Sequence, residues 1–149
     1  MFIELYNCNN YYHRMMIREM ADNDYTKKYL GEINNDTFFN KETYVFKDLS
    51  NNYIGFISCS LPVETHYGIS ITLYYAIHHK YQNKGYGSKM LELFENFIKE
   101  NKKIDIIVLN IESDNYASLK LAQKNNFSIA YQDDENYIYT KFLTKKRSL

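Results

Sequence analysis

Residues 69–77, Ile-Ser-Ile-Thr-Leu-Tyr-Tyr-Ala-Ile, are rich in β-branched and aromatic residues and read as a buried strand; the chain then passes through Gln82-Asn83-Lys84-Gly85-Tyr86-Gly87-Ser88 into an amphipathic helix. No other stretch restricts the fold as much. The chain has five glycines, at 31, 55, 68, 85 and 87, and two of them fall within three residues at this junction. From Ser88 onward, Met90, Leu93, Phe94, Phe97 and Ile98 recur at helical spacing, with Lys89, Glu92, Glu95, Asn96 and Lys99 between them. After a polar break, residues 104–109 form another short β-branched run. A helix between two strands forces a parallel crossover, so the segment predicts one βαβ unit. A glycine-containing loop entering a helix N-terminus gathers backbone N–H groups and the positive end of the helix dipole, which favours an anion such as phosphate.

The loop lacks the Gly-Lys-Ser/Thr of a Walker motif, and Met90 stands where a dinucleotide fingerprint needs its third glycine. What it does carry is Gln82-x-x-Gly85-x-Gly87, which resembles the acyl-CoA pyrophosphate loop of the GNAT superfamily of N-acetyltransferases. The next helix strengthens the resemblance. Asn115-Tyr116-Ala117-Ser118, followed by Leu119, Leu121, Ala122 and Lys124 up to Asn126-Phe127, is similar to the superfamily's Asn-x-x-Ser helix ending in a Gly-Phe step. Asn126 replaces the glycine, and Asn is the next-best residue for a left-handed helix end. The resemblance covers residues 69 to about 143. Its form is similar to the branch that acetylates ribosomal-protein N-termini and to that branch's small-molecule relatives.

The resemblance implies a single α/β (α+β) domain over residues 1–149, with a mixed, mostly antiparallel sheet of about seven strands. The fourth and fifth strands would be parallel, with helices on both faces. The elements read from the residues agree with that order: a strand at 2–6, helices at 11–20 and from an Asp22 or Asp24 N-cap to residue 33, and strands at 43–47 and 53–61 around the turn 48–52. The βαβ unit, the second helix, and strands at 128–132 and 137–143 follow.

Composition narrows the partners. Eighteen basic and eighteen acidic residues give zero net charge, so no overall field recruits nucleic acid or an anionic membrane. The run Lys145-Lys146-Arg147 reads as a solvated tail. The N-terminus shows no basic segment leading into an apolar stretch, so the expected location is cytoplasmic. Cys8 and Cys59 have neither metal-ligand spacing nor a disulfide framework and read as free thiols, and no metal is expected. Monomer and homodimer both remain open.

By resemblance, the backbone from Gln82 through Asn83, Lys84, Gly85, Tyr86 and Gly87 to Ser88 would hold the CoA pyrophosphate, with Gly85 and Gly87 admitting it closely and Lys84 and Lys89 adding charge. Tyr75, Ala76 and Ile77 would bond the pantetheine arm, and Asn110 and Asn115 would contact it. The implied reaction is direct attack on acetyl-CoA by a primary amine of a small molecule or a peptide N-terminus. Two family expectations fail: Ile71 stands where an acid/base Glu is usual and Ala122 where a Tyr serves the CoA sulfur. Ser118 and Tyr116 are the substitute proton donors, with Glu64 and Glu112 as carboxylates bordering the cleft. His78 and His79 read as a solvated turn, and Asp133-Asp134-Glu135 as an acidic turn on the acceptor side. An alternative from another class is an acyl-CoA-binding or sensing domain that has lost catalysis; a third is an interaction module whose glycine loop only caps a helix.

Overall fold

The structure, a computed structural model, describes residues 1–34 and 42–143; the Lys145-Lys146-Arg147 run lies outside them. The elements are β1 (Phe2–Leu5), α1 (Tyr11–Ala21), α2 (Asp24–Leu30), β2 (Glu42–Lys47), β3 (Tyr53–Cys59), β4 (Val63–Thr65), β5 (Gly68–Ile77), a 3-10 turn (His79–Tyr81), α3 (Tyr86–Asn101), β6 (Ile106–Glu112), α4 (Tyr116–Lys124), β7 (Ser128–Gln132) and β8 (Asn136–Phe142). The sheet order is β1-β2-β3-β5-β6-β8-β7, and β4 pairs with β5 beside β3. Among the described residues, only β5 and β6 pair in parallel; the other pairs are antiparallel. The mixed α/β architecture is thus the expected one, with the short β4 as an added eighth strand.

Local chemistry explains most boundaries. Asp48 closes the β2–β3 hairpin by accepting the N–H groups of Ser50 and Asn52, both at 2.9 Å. Asn10 caps α1 through the N–H groups of Tyr12 and His13. Asn23, rather than Asp22 or Asp24, caps α2 through Tyr25 and Thr26. At the end of α4, Asn126 takes φ 65° and Phe127 N–H returns to the Ala122 carbonyl at 3.0 Å, the left-handed ending that the sequence predicts there. The fifth predicted strand lies at Ile106–Glu112 instead of 104–109, because Asp105 is used as a pin. Its N–H donates to the Ile69 carbonyl at 2.8 Å, and its carboxylate accepts Ile69 N–H at 2.9 Å.

Each sheet face has its own core. Met16, Ile17 and Met20 of α1 cover Val45, Phe56 and Ala76 on one side. Met90, Leu91, Phe94 and Ile98 of α3 cover Tyr44, Ile57, Ile71, Leu73, Ile107 and Leu109 on the other, where Ala122 and Phe127 of the α4 region join them. The buried stripe of α3 therefore runs through Leu91 rather than Leu93 and Phe97, which are only partly buried. The two thiols are free, and burial, assisted by Glu42 and opposed by Lys102, pushes Cys59 up to about 12.

α3 and α4 meet at Gly87. A Cβ there would stand 3.2 Å and 3.3 Å from the two Leu121 methyl carbons, so Gly87 sets the distance between these helices. The sequence reading gave Gly87 to close phosphate approach; the structure gives it first to helix packing. Leu121 is partly exposed and can shift for one methyl group. Gly87→Ala should therefore change stability by less than ~1 kcal/mol, as improved helix propensity offsets the crowding. Gly87→Val should overpack the contact and lose ~1–3 kcal/mol. Urea unfolding of both variants measures this, and equal stability of the two would refute the packing role.

Candidate active site

The parallel pairing of β5 and β6 covers only Ser70↔Ile106, Ile71↔Ile107 and Thr72↔Val108. Beyond it, β5 continues with β3 from Leu73↔Cys59 to Ile77↔Gly55, and β6 continues with β8 from Leu109↔Tyr139 to Glu112↔Asn136. The strands therefore part toward their C-terminal ends, leaving one edge of β5 without a strand partner over its last residues. A cleft of about 450 Å3 lies there, bounded by the end of β5, the loop into α3 and one face of α4. Ligands in open α/β sheets bind outside the carboxyl ends of the parallel strands, where neighbouring strands diverge.

The loop is held open by two left-handed residues, Asn83 at φ 61° and Gly85 at φ 80°. Gly85 is the N-cap of α3 and offers no side chain to the first-turn amides. Those donors face the cleft with the helix dipole behind them, an arrangement that accepts a phosphate. Gln82 supports the loop from below, its Nε2 donating to the Ile77 carbonyl at 3.2 Å. Lys120 and Lys124 of α4 bring positive charge to the same cleft. Among the described residues that line it there is no carboxylate and no histidine.

At the other end three hydroxyls converge. Tyr25 of α2 donates to Asn115 Oδ1 at 2.9 Å, and its oxygen lies 3.2 Å from Ser118 Oγ. Asn115 also caps α4 by accepting Ser118 N–H at 3.4 Å. The Tyr75 hydroxyl is buried beside them, near Ser118 but with no hydrogen bond of normal geometry. Burial pushes Tyr75 up to about 12, against a smaller opposing influence from the Ser118 hydroxyl. α2 is fixed here by two further contacts, since Lys28 Nζ and Tyr29 Oη reach the Asp114 carboxylate at 2.8 Å and 3.1 Å. Lys28, then Tyr29, accordingly hold Asp114 below its ordinary value.

Nine of the residues expected at the cofactor line the cleft: Tyr75, Ala76, Ile77, Gln82, Asn83, Gly85, Tyr86, Gly87 and Ser88; Ser118 lines it as well. Lys84 and Lys89 are exposed at its rim, and Lys89 Nζ sits 5.7 Å from the Tyr86 ring centre. Asn110 is exposed on β6, and Asn115 is buried as the α4 cap; neither lines the cleft. Tyr116 is 71% exposed and does not line the cleft. Glu64 and Glu112 are exposed and outside it. Ile71 and Ala122 are both core residues, so the two positions where proton-moving groups were expected are packed away in this chain.

Of the histidine pair, His79 is exposed in the 3-10 turn as expected, but His78 is not solvated. His78 is 2% exposed; its Nδ1 accepts Lys80 N–H at 3.2 Å, and its Nε2 therefore donates to Glu19 at 2.7 Å. Burial, opposed by Glu19, keeps its pKa below the ordinary value, and His79 stacks on it at 4.2 Å. The acidic turn docks on the β6–α4 loop through Ser113, whose N–H and hydroxyl donate to the Glu135 and Asp134 carbonyls. Sequence reading missed Lys120, Lys124 and Tyr25. The first two were legible, because Ala117, Lys120, Leu121 and Lys124 share one helical face. Tyr25 was not, lying 90 residues from its partner Asn115.

The family description "Acetyltransferase (GNAT) domain" matches residues 2–128. No curated protein matches the chain by sequence. Among solved structures, the chain is similar to a GNAT-family acetyltransferase from Streptococcus pneumoniae, at 17% identity and TM-score 0.70 over 96% of this chain and 99% of that one. It is similar to a GNAT-family acetyltransferase from Bacillus anthracis, at 16% identity and TM-score 0.76 over 94% and 93%. A third is the spermidine N-acetyltransferase from Vibrio cholerae, in complex with CoA and spermine, at 13% identity and TM-score 0.76 over 96% of each chain. These likenesses show a shared fold, and the match over residues 2–128 goes further: the chain belongs to the GNAT acetyltransferase family.

Proposed function

We propose that this chain, acting as one domain, moves the acetyl group of acetyl-CoA to a primary amine of a small molecule or of a peptide N-terminus. The observation that carries the reading is the cleft: uncapped α3 amides and two lysines at one end, and a hydroxyl cluster at the other, joined by the free edge of β5. The amides from Gly85 to Ser88 would take the pyrophosphate, and Tyr75, Ala76 and Ile77 would bond the pantetheine arm as an added strand does. Lys120 and Lys124 would supply long-range attraction for the cofactor's phosphates.

The amine must arrive neutral, and no carboxylate or histidine lines the cleft to take its proton. Withdrawing a proton at pH 7 costs over about 4 kcal/mol for a lysine-like amine of pKa ~10.4 but only about 1 kcal/mol for an α-amino group of pKa ~8. The site therefore favours acceptors of low pKa. The same absence motivates the second reading, a CoA-binding domain without turnover. Thermal unfolding with acetyl-CoA, followed by thiol release across a panel of amines, separates them: stabilisation with turnover supports the enzyme, stabilisation alone the binding domain, and neither an interaction module.

Four outcomes are expected. Lys120→Ala combined with Lys124→Ala should weaken acetyl-CoA binding by roughly tenfold at low salt and flatten its salt dependence. Gly85→Ala should lose more cofactor stabilisation than Gly85→Asn, because φ 80° leaves open space for a Cβ but penalises most side chains by about 1–2 kcal/mol. The kcat/KM should rise about tenfold per pH unit up to the acceptor's own pKa. A plateau from near neutrality that ignores acceptor pKa would reveal an enzymic base. Of the two substitute donors, Ser118→Ala should lower kcat by ~10-fold or more, whereas Tyr116→Phe should leave it unchanged because Tyr116 lies outside the cleft.

A further inference from the structure

His78 is the last residue before the 3-10 turn that carries the chain from β5 into the cofactor loop, and it does not itself line the cleft. All of its polar atoms are engaged. Its N–H donates to the Ile54 carbonyl at 2.7 Å, and its carbonyl accepts Tyr81 N–H at 2.8 Å. The ring, 2% exposed, accepts Lys80 N–H at Nδ1 and meets Glu19 of α1 at Nε2. An imidazole nitrogen that accepts a hydrogen bond carries no proton, so the ring is neutral and its one proton sits on Nε2. Tyr81 and Gln82, which follow the capped amide, line the cleft. The cap of this turn therefore works in only one charge state of the ring.

We propose that His78 is a positioning residue for the cofactor loop: its neutral ring, steadied by Glu19, caps the turn from which residues 82–88 enter the cleft, and protonation at Nδ1 releases that turn. The inference rests on the acetyl-transfer reading for the identity of the ligand. A proton on Nδ1 would face Lys80 N–H and set two donors against each other across 3.2 Å. Glu19 is the group that favours the charged ring. Its side chain is 43% exposed, beside an open hollow of about 430 Å3 lined also by Asp22, Asn23, His79 and Lys80, which gives solvent protons access to the pair. Against Glu19 stand the burial of the ring, His79 stacked on it at 4.2 Å, and Lys80; the Tyr81 ring lies 5.8 Å away on the remaining side. Burial prevails and holds the ring below its ordinary value. The ordered turn thus prefers the neutral ring, whereas the released turn returns it toward the ordinary value of ~6.5. The loop keeps its order above that pH and loses it as pH falls further.

The test measures CoA affinity by calorimetry between about pH 7.5 and about pH 5. His78→Asn keeps an oxygen that can accept Lys80 N–H but takes no charge, so at about pH 7.5 it should bind CoA within ~3-fold of wild type. By about pH 5.5 wild type should lose roughly 5-fold more affinity than this variant, any titration of the ligand's own phosphates being common to both. His78→Ala, which offers no acceptor, should bind ~5-fold more weakly already at about pH 7.5, the size of a lost cap. Glu19→Gln keeps an acceptor for Nε2–H but removes the charge that favours protonation, and should move the wild-type fall to lower pH. In ligand-free wild type, the amide resonances of residues 80–87 should shift together with the titration of the His78 ring. The same fall in wild type and His78→Asn, an undiminished affinity in His78→Ala, an unmoved fall in Glu19→Gln, or amides that ignore the ring would each overturn the assignment. Failure of wild type to bind CoA, with the amides still following the ring, would instead defeat the acetyl-transfer reading and leave His78 as the residue that sets the loop.

Discussion

The separation of β5 from β6 after three residue pairs is the feature on which the rest of the site depends. Asp105 locks the strands together at one end by exchanging two hydrogen bonds with Ile69, and past Thr72 and Val108 each strand follows its own antiparallel partner. A fully paired sheet would offer no backbone edge in its centre and no passage between its faces. Here the opening does both. It leaves the end of β5 accessible, and it lets Tyr25, from the α2 side of the sheet, touch Asn115 and Ser118 of α4.

The electrostatics of the cleft are local. The chain has no net charge, yet one end of the cleft gathers the α3 amides, its dipole, Lys120 and Lys124 without a lining carboxylate. Acidic groups stand elsewhere: Asp114 is engaged by Lys28 and Tyr29, Glu19 by His78, and Asp133 by the amides of its own turn. One end of the cleft is therefore electropositive and the other is lined by neutral hydroxyls. Such a division suits a cofactor whose charge and whose reacting bond lie at opposite ends.

The hydroxyl network beside Tyr75 ties two helices together. Tyr25, Ser118 and Asn115 satisfy one another, which makes them a good anchor for α2 on α4. The same satisfaction makes their protons less available.

Much of this architecture was legible in residues close together in the sequence. The βαβ unit, the glycine loop, the Asp48 hairpin turn and the left-handed end at Asn126 rest on dihedral preferences and hydrogen bonds within a few residues, which sequence encodes directly. Nine of the positions expected at the cofactor line the cleft that this local order builds. Side-chain fates were not legible. Ile71 faces the α3 core within the paired stretch, Ala122 is buried, Tyr116 turns to solvent, and Gly87 answers to Leu121. The short β4 and the α2 cap at Asn23 also escaped, since competing neighbours with similar propensities flank both. The hydroxyl cluster exists only once the sheet has opened and α2 has reached α4: the sequence determined the glycine loop and its helix start through local preferences, and tertiary contacts spanning some 90 residues decided which hydroxyls meet at the other end of the cleft.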